Sequence, residues 1–361
     1  MRMIIAGGGT GGHIFPAIAI ANAVKKEEPG IDILFVGAKG KMEMEKVPQA
    51  GYKIEGLDIA GFNRSSLIKN ITLPFKLVKS FLQVRKIIGE FKPDVVVGVG
   101  GYSSFPVLRY AQQKGIATFI HESNSFAGKS NILLGKKAKK VFVATDGMEK
   151  FFPAEKIMVT GNPVRAVITS SGISREDARR FFGLDPAMKT ILSIGGSLGA
   201  KSINEAIDQD LQKISANDIQ LIWQTGKPYA ARGREAAGGN QRVWVSDFIK
   251  EMEYAYAAAD VVISRAGAMA IAELCVVAKP SILVPYPFAA EDHQTANAWN
   301  LEQKHAGIMI KDDETKNRLV NEAINLVKDE KRSAELSMNI SALGVRNADE
   351  VIAREILRST N

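Results

Sequence analysis

The first half of the chain alternates short apolar runs with segments whose apolar residues recur at helical spacing. The runs predict strands at residues 3–6, 31–37, 94–98, 118–121 and 140–144. Residues 16–26, with a proline near the first turn, predict a helix after the first strand. Strands that alternate with helices are typical of parallel βαβ units, and an unbroken run such as DVVVGVG suits a strand covered on both faces. The pattern therefore predicts an α/β domain built on a parallel sheet.

The same pattern restarts at KTILSIGGSLGA, residues 189–200, where an apolar run again enters a glycine turn and then a helical segment. Further strands are predicted at residues 220–224, 242–245, 260–264 and 281–284. Between the two regions, GNPVRAVITSSGIS (161–174) carries the proline, glycine and serine typical of a domain boundary. We predict two Rossmann-like domains, 1–163 and 164–340. A helical segment, 341–361, follows them, and its periodicity is compatible with packing on either domain, including back on the first.

Three segments lead from a predicted strand through glycine into a predicted helix, where free backbone N–H groups and the helix dipole favour anions. AGGGTGGHIFPA (6–17) and the loop after the strand near residue 190 are two of them. The first holds five glycines within seven positions, which predicts a backbone that turns tightly and is closely approached. The third is SRAGAMAIAELC (264–275), with a helix predicted to start near Met269 and Glu273 one turn inside it. Spacing alone leaves Glu273 open as a ribose ligand or as an ordinary capping or solvated glutamate.

Two other kinds of enzyme fit parts of this pattern. Gly7, Gly9 and Gly12 match the G-x-G-x-x-G fingerprint of nicotinamide dinucleotide sites. The second strand of such sites ends in an acidic residue, whereas this one ends in Val-Gly-Ala, which argues against that class. A metal-dependent sugar transferase usually has an Asp-x-Asp at a strand end, but Asp208-Gln209-Asp210 falls late in a predicted helix. We therefore predict no metal site and expect helix N-termini to stabilise a departing diphosphate.

Composition and charge indicate which kind of binding partner and which cellular compartment suit this protein. The 361 residues carry a formal net charge of +8, which favours an anionic partner such as a phosphate-bearing substrate or a membrane surface. The single cysteine, Cys275, lies among apolar residues and is predicted to be a buried structural thiol in a reducing compartment. The N-terminus lacks the apolar core of a secretory signal, and the sequence contains no run long enough to span a bilayer. We expect a cytoplasmic protein that is not integral to a membrane.

Seven ordered blocks closely resemble the MurG family of bacterial glycosyltransferases. They are GGGTGGHIFPA, GGYSSFP, HESNSFAGKSN, GNPVR, GGSLGAKSIN, SRAGAMAIAEL and EDHQTANA. The resemblance implies a GT-B fold, in which two Rossmann-like domains with parallel sheets face each other across a cleft. It implies an inverting transfer of N-acetylglucosamine from UDP-N-acetylglucosamine to the C4 hydroxyl of MurNAc in lipid I, undecaprenyl-pyrophosphoryl-MurNAc-pentapeptide. The products would be lipid II and UDP, in peptidoglycan synthesis at the cytoplasmic face of the inner membrane, with no cofactor and a peripheral mode of attachment.

The residues that this resemblance assigns to the donor lie in the glycine loops and the blocks that follow them. They are Thr10, Gly11, Gly12, Asn124, Arg165, Ser197, Ile249, Ala268, Met269, Ala270, Ile271, Ala272, Glu273 and Gln294. Ser197 would bind the diphosphate, and the backbone of Ile249 would bind uracil. Glu273 would bind the ribose hydroxyls, and Gln294 would orient those of the sugar. Ser123 departs from the family, since many relatives have glutamine there.

An inverting displacement needs a base to take the proton of the attacking hydroxyl. His13 projects from the first glycine loop and is the first candidate. Three roles stay open for it: general base, hydrogen-bond partner of the substrate, or a structural bond to a backbone carbonyl. Glu122 and Asp292 are reserve bases, while His121 and His293 are expected to orient their neighbours.

Residues 64–92 form a basic amphipathic stretch, with seven Lys or Arg against the single acid Glu90. Such a helix is typical of membrane-surface binding, although a core-facing helix with a basic rim has the same pattern. The lipid-linked acceptor that the resemblance implies favours an anionic membrane surface. The contact residues would be Lys69, Phe75, Lys76, Lys79, Phe81 and Leu82. Aromatic residues are not interleaved with the nearby basic run GKKAKK, so nucleic acid is not predicted.

Two other functions remain to be distinguished from lipid II synthesis. One is another GT-B enzyme that uses UDP-N-acetylglucosamine, either a 2-epimerase or a glycolipid transferase. The other is a nucleotide-binding module without turnover. Transfer of sugar to lipid I, rather than epimerised free sugar or bound nucleotide alone, would separate the three.

Overall fold

The computed structural model describes residues 1–61, 73–170, 172–196 and 198–360. It divides the chain into two compact units. Unit 1 comprises Met1–Val164 and Val345–Asn361, and unit 2 comprises Arg165–Gly344. Each unit is built on its own parallel sheet.

Among the described residues, the sheet of unit 1 has seven strands in the order β3-β2-β1-β4-β5-β6-β7. The strands are β1 (Arg2–Ala6), β2 (Asp32–Ala38), β3 (Lys53–Leu57), β4 (Val95–Gly98), β5 (Ala117–Glu122), β6 (Lys140–Val143) and β7 (Ile157–Val159). The helices between them are α1 (Gly11–Glu27), α2 (Glu43–Gln49), α3 (Leu73–Phe91), α4 (Ser104–Gln113) and α5 (Lys129–Gly135). The chain order reverses direction between β1 and β4, and ligands of such sheets bind outside the carboxyl ends of the strands at this switch point.

Unit 2 repeats this arrangement, with six strands in its described part in the order β10-β9-β8-β11-β12-β13. They are β8 (Thr190–Ile194), β9 (Gln220–Gln224), β10 (Val243–Ser246), β11 (Val261–Arg265), β12 (Ser281–Val284) and β13 (Ile308–Met309). The helices are α6 (Ala166–Thr169), α7 (Arg175–Phe181), α8 (Lys201–Ala216), α9 (Ala230–Ala237), α10 (Met252–Ala258), α11 (Ala268–Val277), α12 (His293–Gln303), α13 (Thr315–Lys328) and α14 (Glu330–Ser341). Its switch point lies between β8 and β11.

The last helix, α15 (Ala348–Thr360), belongs to unit 1, where it packs against α1. Ile352, Ala353 and Ile356 on this helix are fully buried in the same core as the β1 residues Met3 and Ile5. The core of unit 1 is therefore completed by residues from the far end of the chain.

The predicted α/β class with parallel sheets is confirmed. Three short strands, β3, β7 and β13, were not predicted, and all three lie at sheet edges. In β3 the burial alternates because an edge strand is only partly covered, so its sequence lacks the apolar run that marks a central strand. Helix α1 begins at Gly11, five residues before the predicted start at Pro16, which instead lies in its second turn. The N-cap residue Thr10 is extended, which starts the helix within the glycine run itself.

Candidate functional site

In unit 1 the glycine loop after β1 touches the loop after β4. A Cβ added to Gly101 would lie 2.4 Å from the Gly8 carbonyl oxygen, and one added to Gly7 would lie 2.6 Å from that of Gly100. Gly9, Gly100 and Gly101 also have φ between 82° and 92°. Glycine is therefore required at this switch point by both backbone conformation and close approach. The sequence predicted that the first glycine run is closely approached, and part of what approaches it is the protein's own backbone in the loop after β4.

His13 lies in the first turn of α1, beside this contact. Its Nδ1 is 3.1 Å from the Gly8 carbonyl oxygen and 3.4 Å from the Thr10 hydroxyl. A carbonyl oxygen only accepts, so Nδ1 carries the proton in the neutral ring and Nε2 carries the lone pair. The backbone bond expected of a structural histidine is thus present, and it gives the tautomer that a base acting through Nε2 requires.

The HESN block follows β5. Glu122 is buried, and its carboxylate accepts four hydrogen bonds: two from the backbone and side chain of Asn124, one from the Gly128 amide and one from Asn131. These donors engage both carboxylate oxygens, so Glu122 organises the turn that presents Asn124.

His121 precedes Glu122 and is fully buried. Burial is the main cause that lowers its pKa to about 4. The Gly161 backbone, as an acceptor for the ring, acts in the opposite direction, and the charge of His13 lowers the pKa further. The ring is therefore neutral at physiological pH, and its Nδ1 lies 3.4 Å from the Ser123 hydroxyl.

In unit 2 the second glycine loop follows β8 and leads into α8. A Cβ on Gly199 would lie 2.0 Å from the Thr225 carbonyl oxygen, and Gln224 donates to the carbonyl of Gly196 at 2.7 Å. The loop is thereby fixed against the end of β9. Ser197, the residue predicted to bind the diphosphate, lies outside the described residues.

Helix α11 begins on the other side of this switch point. Its N-cap, Gly267, has no side chain with which to cap the first turn. The predicted donor residues at its start are half-buried, and Glu273 is buried at its sixth position. The backbone contact predicted for uracil, Ile249, is buried in the loop after β10.

Glu273 is held by two side chains. Arg165 contacts its Oε1 through Nε at 3.1 Å and Nη2 at 3.0 Å, and the Tyr256 hydroxyl donates to Oε2 at 2.9 Å. Burial raises the pKa of Glu273, although both partners favour its charged form. Glu273 is thus neither a capping nor a solvated glutamate. Tyr256, fully buried on α10, was not found from the sequence because it stands in no recognised motif.

The EDHQ block begins α12. Gln294 accepts a hydrogen bond at Oε1 from the Tyr286 amide at 3.0 Å, which leaves the side-chain amide group as its donor. Asp292 is exposed and accepts from the Thr295 hydroxyl at 2.7 Å. Glu291 and Asp292 both have left-handed φ values, 56° and 53°, a conformation that L-residues rarely adopt. Such local strain is often found at binding sites.

Helix α3 carries most of the predicted membrane residues. Phe75 and Leu82 are 77% and 62% exposed, and Lys76 is exposed beside them. Phe81 is half-buried with its ring edge-on to Phe105, and Lys79 pairs with Asp58 at 2.9 Å. Lys69 lies outside the described residues. None of the described helices is long and apolar enough to cross a membrane.

The remaining predicted features have ordinary structural surroundings. Cys275 is buried, and burial raises its pKa to about 12. Asp208 pairs with Arg232 at 2.7 Å and accepts from the Tyr229 hydroxyl at the same distance. Across the described ranges, no group of three or more His, Cys, Asp or Glu side chains is arranged to hold a metal ion.

Two family models match this chain. The glycosyltransferase family 28 N-terminal domain matches residues 3–143, and the glycosyltransferase family 28 C-terminal domain matches residues 190–352. Together they cover most of both units.

Curated relatives match over nearly the full length. A protein of Phocaeicola vulgatus is 54% identical over 361 residues, covering 99% of this chain and 96% of its own. One of Parabacteroides distasonis is 53% identical over 360 residues, covering 99% and 98%. Both bear the name UDP-N-acetylglucosamine–N-acetylmuramyl-(pentapeptide) pyrophosphoryl-undecaprenol N-acetylglucosamine transferase.

Among solved structures, MurG of Acinetobacter baumannii superposes with a TM-score of 0.80 at 27% identity, over 99% of each chain. A UDP-GlcNAc 2-epimerase of Neisseria meningitidis, bound to UDP-GlcNAc, gives 0.68 at 14% identity, over 99% of this chain and all of its own. The second likeness shows the fold alone. The GT-B class predicted from the sequence is confirmed.

Proposed function

The chain belongs to glycosyltransferase family 28, and from this membership we propose that it transfers N-acetylglucosamine from UDP-N-acetylglucosamine to the C4 hydroxyl of MurNAc in lipid I. The products are lipid II and UDP, in a membrane-associated step of peptidoglycan synthesis. The observation that carries the proposal is the 54% identity, over almost the whole chain, to a relative that bears the name of this transferase. The prediction of a glycosyltransferase is confirmed by the family membership.

We further propose that His13 is the general base. The acceptor hydroxyl attacks the anomeric carbon while the bond to the UDP oxygen breaks, and Nε2 of His13 takes the hydroxyl proton. The hydrogen bond from Nδ1 to the Gly8 carbonyl supports this role because it leaves the lone pair on Nε2. The carboxylate of Glu122, bonded to four donors, suits a role in holding Asn124. Asp292 remains a reserve base.

Unit 2 binds the donor in this proposal. The amides at the starts of α8 and α11 stabilise the charge that develops on the diphosphate, as helix N-termini do for phosphates. Glu273 takes the ribose hydroxyls, and the side-chain amide of Gln294 donates to a sugar hydroxyl, since its oxygen is bonded to Tyr286. Ser197 binds the diphosphate, Arg165 is a further contact of the donor, and the backbone of Ile249 binds uracil.

Unit 1 binds the acceptor and the membrane. Thr10, Gly11, Gly12 and Asn124 meet the sugar side of the donor. The exposed apolar and basic residues of α3 rest on anionic lipid at the cytoplasmic face of the membrane, so that the attachment is peripheral. For the functional division the proposal keeps the predicted assignment, with 1–163 on the acceptor side, 164–340 on the donor side and 341–361 as the final segment.

The test is a transfer assay with radiolabelled UDP-N-acetylglucosamine and lipid I, scored for lipid II. His13→Asn retains a donor for the Gly8 carbonyl but offers no basic nitrogen, so we expect kcat/KM to fall about 10²-fold or more. His305→Asn is the matched control because His305 is exposed and has a left-handed φ of 49°, which Asn tolerates. Near-normal turnover of His13→Asn would remove His13 from the mechanism. Epimerised free sugar without lipid II would favour the 2-epimerase instead.

A further inference from the structure

Glu43 is a buried carboxylate that no sequence motif singled out. It is the first residue of α2 and is 1% exposed. Its Oε2 accepts from the Gly9 amide at 2.9 Å, and its Oε1 accepts from the Ala38 amide at 3.0 Å. Both carboxylate oxygens therefore face backbone donors, one of them inside the first glycine loop.

The glycines around Glu43 make room for this carboxylate. A Cβ on Gly8 would lie 2.4 Å from the Glu43 Cδ and Oε1 atoms, and one on Gly37 would lie 2.5 Å from its Cγ. Real Cβ atoms do not approach this closely, so glycine at both positions is a condition for Glu43 to enter. The site is built to hold this side chain.

The peptide group between Gly8 and Gly9 links Glu43 to His13. Its N–H donates to Glu43, and its carbonyl oxygen accepts from His13 Nδ1 at 3.1 Å. Hydrogen bonds in such a chain polarise one another, so a negative charge on the N–H side makes the carbonyl a stronger acceptor. A stronger bond at Nδ1 holds the ring in one orientation and makes Nε2 more basic.

We propose that Glu43 is a positioning residue that acts on His13 through the Gly8–Gly9 peptide. The inference rests on the proposed role of His13 as the base. When Nε2 takes the proton of the acceptor hydroxyl, the imidazolium keeps its Nδ1 proton and is stabilised by the polarised carbonyl. Both carboxylate oxygens of Glu43 keep their backbone N–H donors, and no proton passes through the peptide. The arrangement follows the logic of a carboxylate–histidine pair with one peptide group inserted.

Other titratable groups nearby do not duplicate this effect. Tyr102 faces Glu43, and burial followed by the charge of Glu43 raises the pKa of its phenol, so it stays neutral. His121 faces His13 and is neutral above pH 4 to 5, since its pKa is about 4. Lys39, next to the end of β2, is paired with Asp58. Glu122 is bonded to its four donors within its own turn.

The first experiment compares Glu43→Gln with Glu45→Gln, an exposed position on the same helix. Glutamine keeps the size of Glu43 but removes the charge, so we expect kcat/KM to fall about tenfold or more, as when the outer partner of a functional histidine is lost. The acid limb of its pH profile should move to lower pH by about one pH unit, because a nearby negative charge is gone. Glu45→Gln should change neither quantity. If Glu43→Gln lowers the maximum of kcat/KM but leaves the acid limb of the pH profile in place, the role of Glu43 is purely structural and the proposal is overturned.

The second experiment examines the His13 ring directly, and its main readout comes from the wild-type protein. ¹⁵N NMR of the four histidine rings of the wild-type protein, assigned with His→Asn variants, reports which nitrogen of neutral His13 bears the proton. We expect the Nδ1–H form. A dominant Nε2–H form would overturn the proposal that Glu43 positions His13 through the Gly8–Gly9 peptide. In Glu43→Gln the ring should titrate at lower pH. This readout does not depend on turnover, so it tests the positioning role of Glu43 separately. Whether His13 is the general base is tested by the transfer assay.

Discussion

Lys279 is a half-buried cation held by carbonyl oxygens. Its Nζ donates to the Ala259 carbonyl at 2.7 Å and lies 3.5 Å from that of Ala257, at the C-terminal end of α10. Cations stabilise helix C-termini, where carbonyls lack helical partners. Burial, and next the charge of Arg175, lower the pKa of Lys279 to about 8. The helix so capped carries Tyr256, which contacts Glu273.

We predict that Lys279 makes the stability of the protein rise with pH between about 8 and 10.5. In that window the unfolded lysine is protonated and the folded one is not, so the unfolded chain binds more protons. Relative to Lys279→Met, the wild-type free energy of unfolding should gain about 2 kcal/mol between pH 7 and pH 10. Denaturant unfolding at both pH values measures this, with Lys331→Met, an exposed lysine, as the control. An equal pH response of wild type and Lys279→Met would contradict the prediction.

At the scale of elements, α3 has two apolar faces. On one face, Val84 and Ile88 are buried in the core of unit 1. On another face, Phe75, Val78 and Leu82 recur at helical spacing and are exposed. The helical spacing of apolar residues in the sequence predicted one wide apolar stripe and did not distinguish the buried face from the exposed one. The exposed face is flanked by basic residues, as expected for a helix that lies on anionic lipid.

We predict that Phe75→Ser, Val78→Ser and Leu82→Ser together weaken binding to anionic vesicles at least about tenfold. Each side chain that inserts contributes on the order of 1 kcal/mol or more by leaving water. Vesicle flotation is the measurement, and Met338→Ser, which removes a 68% exposed apolar residue from α14, is the control. Unchanged flotation of the triple variant would place membrane attachment elsewhere.

At the scale of the whole molecule, the chain returns to unit 1 after completing unit 2. Ile352 on α15 is fully buried in the core that also contains β1 and α1, while Ile340 on α14 is fully buried in unit 2. The stability of unit 1 therefore depends on residues almost 350 positions away from its first strand.

We predict that Ile352→Ala destabilises unit 1 by about 2–5 kcal/mol, the usual cost of a cavity left by a large aliphatic side chain. Hydrogen exchange resolved by peptide should then accelerate in β1 and α1. Ile340→Ala should instead accelerate exchange in unit 2. Faster exchange in unit 2 alone for Ile352→Ala would contradict the packing of α15.

The sequence predicted the parts of the site that local patterns encode. The glycine loops after β1 and β8 were located because a strand, a glycine run and a helix are contiguous in the chain. Glu273 was predicted from its position in a motif, whereas its hydrogen-bond partner Arg165 lies 108 positions away in the sequence. Glu43 was missed because it contacts Gly9 across 34 positions, and no residue near it signals an ion site. Tyr256 was missed as well, because it stands in no recognised motif.

The sequence by itself determined the fold class, the central strands, the loops at the strand ends and the family, because each depends on residue types in a local order. Tertiary structure alone decided which carboxylate approaches the first glycine loop, which face of α3 is exposed and on which unit α15 packs. These depend on contacts between distant segments. Such contacts depend on how the sheets and helices assemble, and the spacing of residues along the chain does not encode them.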